Sequence, residues 1–131
     1  MQHVFPVVYA RHVGATAEFF ARLGFVEEAR SPVDGEPSYV RLARGAAALV
    51  VVDHGWPASR HGAPVGDGAR FELFVGVDDV DACLADLAAA GVPALRDPVT
   101  MPWGERIGYV ADPDGNPVAL AARVPVPAST T

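Results

Sequence analysis

Hydrophobic and polar positions change their spacing several times along the first half of the chain. The apolar run over residues 3–10 is rich in β-branched and aromatic residues and predicts a strand. An apolar stripe at helical spacing follows and stops at Gly24, which predicts a helix over about 14–23. Turn-forming residues then separate three more predicted strands, over 25–30, 38–43 and 46–53.

The second half of the chain repeats this order of elements. A strand is predicted over 71–77, followed by a helix that begins at Asp78 or Asp79 as its N-cap and ends at Gly91. The predicted buried stripe of this helix is Val80, Cys83, Leu84 and Leu87. Three more strands are predicted over 92–96, 106–111 and 117–122, with a turn over 112–116 before the last.

The repeat predicts how the chain is organised. Gly24 and Gly91 lie 67 residues apart, and the segments that follow them are similar, which supports duplication of a βαβββ module. A length of 131 residues is typical of one domain. We therefore predict an α+β fold in a single domain over residues 1–131. Its parts are module one over 1–53, a linker over 54–69, module two over 70–123 and a tail over 124–131.

Composition narrows the possible functions. The formal net charge of −6 argues against a nucleic-acid partner. All ten basic residues are arginine, which excludes a Schiff-base lysine and a P-loop. The single cysteine, Cys83, excludes an internal disulfide and a cysteine-based zinc cluster. No apolar run approaches the ~20 residues that span a bilayer, and no leader pattern is evident, so we expect a cytoplasmic protein without a membrane partner.

Three short motifs occur in an order typical of one protein superfamily. They are Ala-Glu-Phe-Phe-Ala-Arg-Leu-Gly-Phe over 17–25, Val-Asp-Asp-Val-Asp over 77–81, and Pro-Trp-Gly-Glu-Arg over 102–106 leading to Asp-Pro-Asp-Gly-Asn over 112–116. Together they resemble the vicinal oxygen chelate superfamily, which includes glyoxalase I, extradiol dioxygenases and the fosfomycin and bleomycin resistance proteins. The resemblance covers nearly the whole chain. It implies two βαβββ modules whose curved mixed sheets surround a ligand-binding cup, commonly in a homodimer.

The resemblance also implies where a metal would be bound. Metal-dependent members take their ligands from the first and last strands of each module, which here places Phe5, Glu72, Ala119 and either Val50 or Val51 at those positions. A lone carboxylate cannot hold a divalent metal, so we predict no metal and no cofactor. The alternative is a displaced site that uses His3, Glu72 and Asp53 or His54.

Alternation along the strands predicts which side chains line the implied cup. Trp56 and Trp103 are added because they lie in loop-like segments rich in glycine and proline, and loops often carry ligand contacts. The candidate ligand-binding residues are Phe5, Val7, Tyr9, Tyr39, Arg41, Trp56, Glu72, Phe74, Trp103, Arg106 and Tyr109. An aromatic lining suits a planar hydrophobic ligand, although aromatic residues also close packed cores. Trp103 is equally consistent with packing inside its own turn. A buried Glu72 would need Arg41, Arg106 or a ligand donor to offset its desolvation.

These features favour a binding protein over an enzyme. We expect non-catalytic sequestration of a small, planar aromatic or glycopeptide antibiotic, in self-resistance or biosynthesis, as the resemblance to metal-free bleomycin resistance proteins implies. The acidic net charge would suit a neutral or cationic drug. The alternative is a metal-dependent enzyme of the glyoxalase or dioxygenase type with an irregular metal site. A metal-free enzyme with Glu72 as its base is a third possibility.

Overall fold

Each half of the chain forms a four-stranded mixed sheet with a helix packed against one of its faces. The computed structural model describes residues 3–62 and 65–125. Contacts between residues separate the chain into two units, Met1–Gly68 and Ala69–Thr131. This boundary falls at the end of the segment that the sequence predicts to be a linker.

The first unit contains four strands and two helices. They are β1 (Val7–Ala10), α1 (Val13–Ala21), β2 (Val26–Ser31), β3 (Tyr39–Arg44), β4 (Ala47–Asp53) and α2 (Trp56–Arg60). The strands lie in the order β1-β4-β3-β2. Strand β1 is parallel to β4, and the other neighbours are antiparallel.

The second unit has the same topology. Its elements are β5 (Leu73–Gly76), α3 (Val80–Ala89), β6 (Arg96–Met101), β7 (Glu105–Ala111) and β8 (Pro117–Arg123). The order β5-β8-β7-β6 repeats that of the first unit, again with one parallel pair, β5 and β8. The α+β class and the two βαβββ modules are thereby confirmed. The single domain and the cup lined by both modules stay predictions.

The same hydrogen-bond pattern ends the two longer helices, α1 and α3. Gly24 and Gly91 have φ angles of +91° and +89°, a conformation that costs glycine nothing because it has no Cβ. One residue later, the Phe25 N–H donates to the Phe20 carbonyl at 3.2 Å, and the Val92 N–H donates to the Leu87 carbonyl at 2.8 Å. The repeated glycine signal in the sequence therefore marks a repeated turn in the backbone.

The core of the first unit lies between α1 and one face of its sheet. Phe19 and Phe20 are buried there and meet edge to face, with ring centroids 5.0 Å apart. The buried sheet residues on this side are Val8, Val40, Leu42, Leu49 and Val51. Burial of each large apolar side chain stabilises the fold by about 1.5–3 kcal/mol. Because strand side chains alternate, the residues between them lie on the opposite face of the sheet.

In the second unit, α3 packs closely against β7 and β8. Leu84 and Leu87 are buried, but Cys83, which was predicted in the same stripe, is only half-buried. The buried stripe is narrow and follows positions 80, 84 and 87, so Cys83 lies on its flank. Gly108 of β7 lies beneath the helix, where a side chain would meet Leu84 and Val80.

Three predicted strands have wrong limits. The first begins at Val7 rather than residue 3, and the strand predicted over 92–96 begins only at Arg96. Pro6 and Pro93 precede these two starts, and proline has no N–H to donate to a ladder. Strand β5 is shorter than the predicted 71–77, since its pairing with β8 begins at Leu73 opposite Val118. The other five strands agree with the prediction to within one residue at each end.

The segment predicted as a structureless linker contains α2. Residues 63–64 of that segment, and residues 126–131 of the predicted tail, lie outside the described residues. None of the helices in the described ranges is both long and apolar enough to cross a membrane.

A buried polar turn precedes β8, as the motif over 112–116 predicts. The Asp112 carboxylate, 4% exposed, accepts hydrogen bonds from the Asn116 backbone N–H at 2.9 Å and from the Asn116 side-chain amide at 3.0 and 3.2 Å. The Asn116 Oδ1 in turn accepts the Arg70 backbone N–H at 2.9 Å. Asn116, which is 0% exposed, therefore ties the turn to the segment before β5.

Asn116→Ala is expected to lower the free energy of unfolding by about 2 kcal/mol or more, because it leaves the Arg70 N–H without this acceptor and the Asp112 carboxylate with fewer donors. Urea denaturation followed by circular dichroism measures the change. Asp34→Ala, at an exposed turn position in the first unit, is the control and should stay within about 0.5 kcal/mol. Equal effects of the two substitutions would contradict the structural role of Asn116.

Gly108→Ala is expected to destabilise the protein by about 1–3 kcal/mol, since the new Cβ would lie 2.8 Å from Leu84 Cδ1 and 3.2 Å from Val80 Cγ1. Gly76→Ala is the matched control in the same sheet, because a Cβ there has no neighbour within 4 Å. The two variants are compared by urea denaturation. A Gly108→Ala protein as stable as the Gly76→Ala protein would show that α3 does not pack tightly on β7.

Candidate functional site

A cavity of about 310 Å³ lies on the face of the first sheet that α1 leaves uncovered. Val50 and Val52 of β4 form its floor, with Val7 of the neighbouring β1 beside them. Its lining, among the residues that the structure describes, is Phe5, Val7, Tyr9, Tyr39, Val50, Val52, Trp56, Pro57, Arg60 and His61. Five of these, Phe5, Val7, Tyr9, Tyr39 and Trp56, are candidate ligand-binding residues from the sequence, and the structure brings them together.

Helix α2 places Trp56 against the sheet. The indole stacks on the Tyr39 ring with centroids 6.1 Å apart and planes 23° from parallel. Asp53 turns the chain at the end of β4, because its Oδ2 accepts the Gly55 N–H at 2.9 Å. Pro57 lies in the first turn of the helix and is buried. Through these contacts, the segment after β4 forms one wall of the cavity.

Sequence reasoning missed Pro57, Arg60 and His61 as lining residues, because it treated their segment as a linker. A local signal was present. Proline in the first turn of a helix and glycine just after its last turn are common at helix ends, and Pro57 and Gly62 occupy those positions. Gly62 has a φ of +83°, as such a glycine often does.

Basic side chains stand at the rim of the cavity. The Arg60 guanidinium carbon lies 4.5 Å from the centroid of the Trp56 ring, within the range of a cation–π contact. His61 is exposed beside it. None of the described lining residues is Asp or Glu.

Arg41 lies on the same face as the cavity but lines a neighbouring one. Its guanidinium carbon is 5.0 Å from the Phe5 centroid, and its Nε donates to Glu28 Oε1 at 3.2 Å. The neighbouring cavity, of about 470 Å³, is lined by Phe5, Arg41, Glu28 and His3 among others. Phe5 therefore separates an aromatic compartment from a more polar one.

The open face of the second sheet carries a different set of residues. Phe74, Ala119 and Tyr109 are paired across β5, β8 and β7, which puts their side chains on one face. Phe74 is 59% exposed and borders a shallow cavity of about 310 Å³ with Glu105 and others. Trp103 is 63% exposed in the turn between β6 and β7, where its Nε1 donates to Glu105 Oε1 at 3.3 Å.

Arg106, predicted to bind ligand, lies on the helix side of the second sheet instead. Its Nε and one terminal nitrogen donate to the two carboxylate oxygens of Asp81 at 2.7 and 3.0 Å, and the other terminal nitrogen donates to Thr100 at 2.8 Å. The hydrogen bond from Arg106 lowers the pKa of Asp81 below its ordinary value. Arg106 thus links β7 to α3, and it does not share a face with Tyr109.

Glu72 does not occupy the buried position in which it would need Arg41 or Arg106 as a partner. Glu72 is exposed and precedes the first residue of β5. Both arginines proposed as its partners form other ion pairs, Arg41 with Glu28 and Arg106 with Asp81. An exposed carboxylate stays hydrated and needs no partner to offset desolvation.

The residues at the implied metal positions do not fit a divalent metal ion. Phe5, Ala119, Val50 and Val51 offer no side-chain ligand atoms, which leaves the exposed Glu72 carboxylate. Within the described residues of either unit, no three His, Cys, Asp or Glu side chains are grouped closely enough to hold a metal ion. Of the alternative set, which is His3, Glu72 and Asp53 or His54, the members that lie in the first unit do not form a three-residue cluster among its described residues.

Protein purified without chelator is expected to contain far less than one equivalent of zinc, nickel, iron or manganese, because one exposed carboxylate does not make a site. Elemental analysis of the wild-type chain and of Glu72→Ala measures this, and the two should be indistinguishable. One equivalent of metal that disappears in Glu72→Ala would overturn the assignment.

Comparison with known proteins identifies relatives over nearly the whole chain. A model of the Glyoxalase/Bleomycin resistance protein/Dioxygenase superfamily matches residues 1–120. No curated protein matches significantly.

Three similar solved structures illustrate the range of relatives. TioX from Micromonospora sp. ML1 is 22% identical, with a TM-score of 0.76 over 94% of this chain and 100% of that one. Lactoylglutathione lyase from Agrobacterium tumefaciens is 24% identical, with a TM-score of 0.69 over 93% and 94%. A hypothetical protein from S. aureus is 17% identical, with a TM-score of 0.77 over 93% and 94%. At these identities the likeness shows the fold alone.

Proposed function

Since the chain belongs to the glyoxalase/bleomycin resistance protein/dioxygenase superfamily, we propose that it is a non-catalytic protein that binds a small planar aromatic compound, such as an antibiotic. The observation that carries this proposal is the aromatic cavity of the first unit. Four rings, those of Phe5, Tyr9, Tyr39 and Trp56, surround a floor of valines. A planar ligand that enters would exchange water for ring stacking and apolar contact.

The size of the cavity limits how much of a ligand it can hold. A volume of about 310 Å³ lies at the lower end of the ~300–1,000 Å³ of small-molecule sites. A planar ring system fits this range. A larger antibiotic, such as a glycopeptide, would place only its planar part there and leave the rest outside.

Binding is better supported than catalysis. The superfamily name covers enzymes as well as resistance proteins, and a lactoylglutathione lyase is among the structural relatives. A general base or a metal centre needs placed carboxylates or histidines. The cavity instead offers valines, aromatic rings, Arg60 and a single histidine, His61, which is exposed at the rim.

The biological setting remains part of the proposal. Resistance to an antibiotic and assistance in its biosynthesis both require reversible capture of an aromatic compound, and both are consistent with this cavity. A homodimer and a cytoplasmic location stay predictions. Light scattering after size-exclusion chromatography measures the oligomeric state.

Ligand entry is expected to quench the fluorescence of Trp56. The chain has two tryptophans, so Trp103→Phe leaves Trp56 as the sole reporter and Trp56→Phe leaves Trp103. Both variants are titrated with quinoxaline, mitomycin and bleomycin-type compounds. Saturable quenching at micromolar concentrations is expected in the Trp103→Phe protein, because its reporter lines the cavity. A panel without any micromolar binder would remove the main support for sequestration.

Trp56→Ala is expected to weaken binding of the same compound by about tenfold, since it removes a stacking surface worth about 0.5–1.5 kcal/mol together with buried apolar area. Isothermal titration calorimetry measures the Kd. Val33→Ala is the control, because Val33 is an exposed apolar residue in the loop between β2 and β3 of the same unit. Unchanged affinity in Trp56→Ala would show that the ligand binds elsewhere.

A further inference from the structure

The aromatic cavity differs in charge from the chain as a whole. The protein has a formal net charge of −6, and a cationic ligand would be the simple expectation from that value. Around the cavity, however, the described lining residues include Arg60 and His61 and no carboxylate. The local field at this rim therefore favours an anion.

Arg60 makes a different kind of contact from three other arginines of its unit. Arg22, Arg30 and Arg41 each bond a glutamate, at 3.2, 2.8 and 3.2 Å. Arg60 instead contacts the flat face of the Trp56 indole, and its guanidinium carbon lies 4.5 Å from the ring centroid. A guanidinium held over a ring keeps its N–H donors in its own plane, where they can bond a second group.

Two acidic residues of the first unit, Asp53 and Glu28, form contacts with other groups. Asp53 accepts the Gly55 N–H at 2.9 Å through Oδ2, and its Oδ1 lies 3.7 Å from His54 Nδ1. Glu28 bonds Arg41 at 3.2 Å. The positive charge of Arg60 is therefore presented at the rim, beside the surface that would stack on a ligand ring.

We propose that the ligand carries a carboxylate or another anionic oxygen group next to its planar ring, and that Arg60 binds this group. This inference rests on the proposed function, and it differs from the expectation of a neutral or cationic ligand that the net charge suggests. The ring occupies the space against Tyr39, Trp56 and the valine floor, while the anionic group meets the guanidinium at the rim. A charge-assisted hydrogen bond of this kind selects among compounds that share one ring system.

The test uses three probes with the same ring: 2-naphthoate, 2-naphthylmethanol and 2-naphthylmethylammonium. Isothermal titration calorimetry with the full chain measures each Kd. We expect 2-naphthoate to bind about five- to tenfold more tightly than the alcohol, because a partly exposed charge pair is weaker than a buried one. The ammonium probe should bind most weakly. Raising the salt from about 50 mM to about 500 mM should reduce the preference for the carboxylate by screening.

Arg60→Gln is expected to bring the affinity for 2-naphthoate down to that for the alcohol, and to change the affinity for the alcohol by less than about twofold, because the apolar stem is largely kept. Arg60→Lys should retain part of the preference, since it keeps the charge but not the planar fork. Arg22→Gln, at the C-cap of α1 where Arg22 pairs with Glu18, is the matched control and should leave all three affinities unchanged.

The outcomes separate this inference from the proposed function. Equal affinities for the three probes in the wild-type chain would overturn the inference while leaving an aromatic-binding protein in place. A preference for 2-naphthoate that persists in Arg60→Gln would also overturn it, because another group would then be the anion site. If none of the probes binds, both proposals fail.

Discussion

The packing of α1 on the first sheet determines what the rest of that unit can do. Phe19 and Phe20 bury one face of the sheet, and strand geometry then directs every second residue of β1, β3 and β4 to the other face. Val7, Tyr39 and Val52 belong to that other face. A core on one side thus leaves an apolar, aromatic surface on the other, and a segment of chain can turn over it to form a cavity.

Helix α2 is the segment that makes this turn. The Asp53 side chain turns the backbone after β4, and the helix that follows stacks Trp56 on Tyr39 and carries Arg60 to the rim. One short helix therefore supplies an aromatic wall and a cation. Apolar contact with the valine floor would provide affinity for a ring, and the cation would discriminate by charge.

The two modules have the same topology, but the open faces of their sheets carry different residues. The parallel pair, the antiparallel ladder and the glycine turn after the helix recur in both units. On the open face of the second sheet, Tyr109 and Phe74 lie in register with the small Ala119, while Arg106 is on the opposite face and holds α3 through Asp81. The two modules thus share their strand order and the glycine turn after the helix, whereas the residues on their open faces differ.

Local sequence patterns were enough to predict the order of the elements, the duplicated module, the glycine turns at Gly24 and Gly91 and the turn over 112–116. Each of these depends on neighbours in the chain, because periodicity records which side of an element is buried and a positive φ requires glycine. Three of the lining residues, Phe5, Val7 and Tyr9, were predicted by alternation along the first strand. Trp56 was predicted from its position in a segment rich in glycine and proline. The partners of the long side chains were decided by tertiary structure. Arg106 bonds Asp81, 25 residues away, and Glu72 is exposed just before β5. A shift of one residue in strand register moves a side chain to the opposite face of the sheet. The distant group that the side chain contacts depends on how the helix packs on the sheet. Local spacing in the sequence therefore encodes neither the face nor the contact.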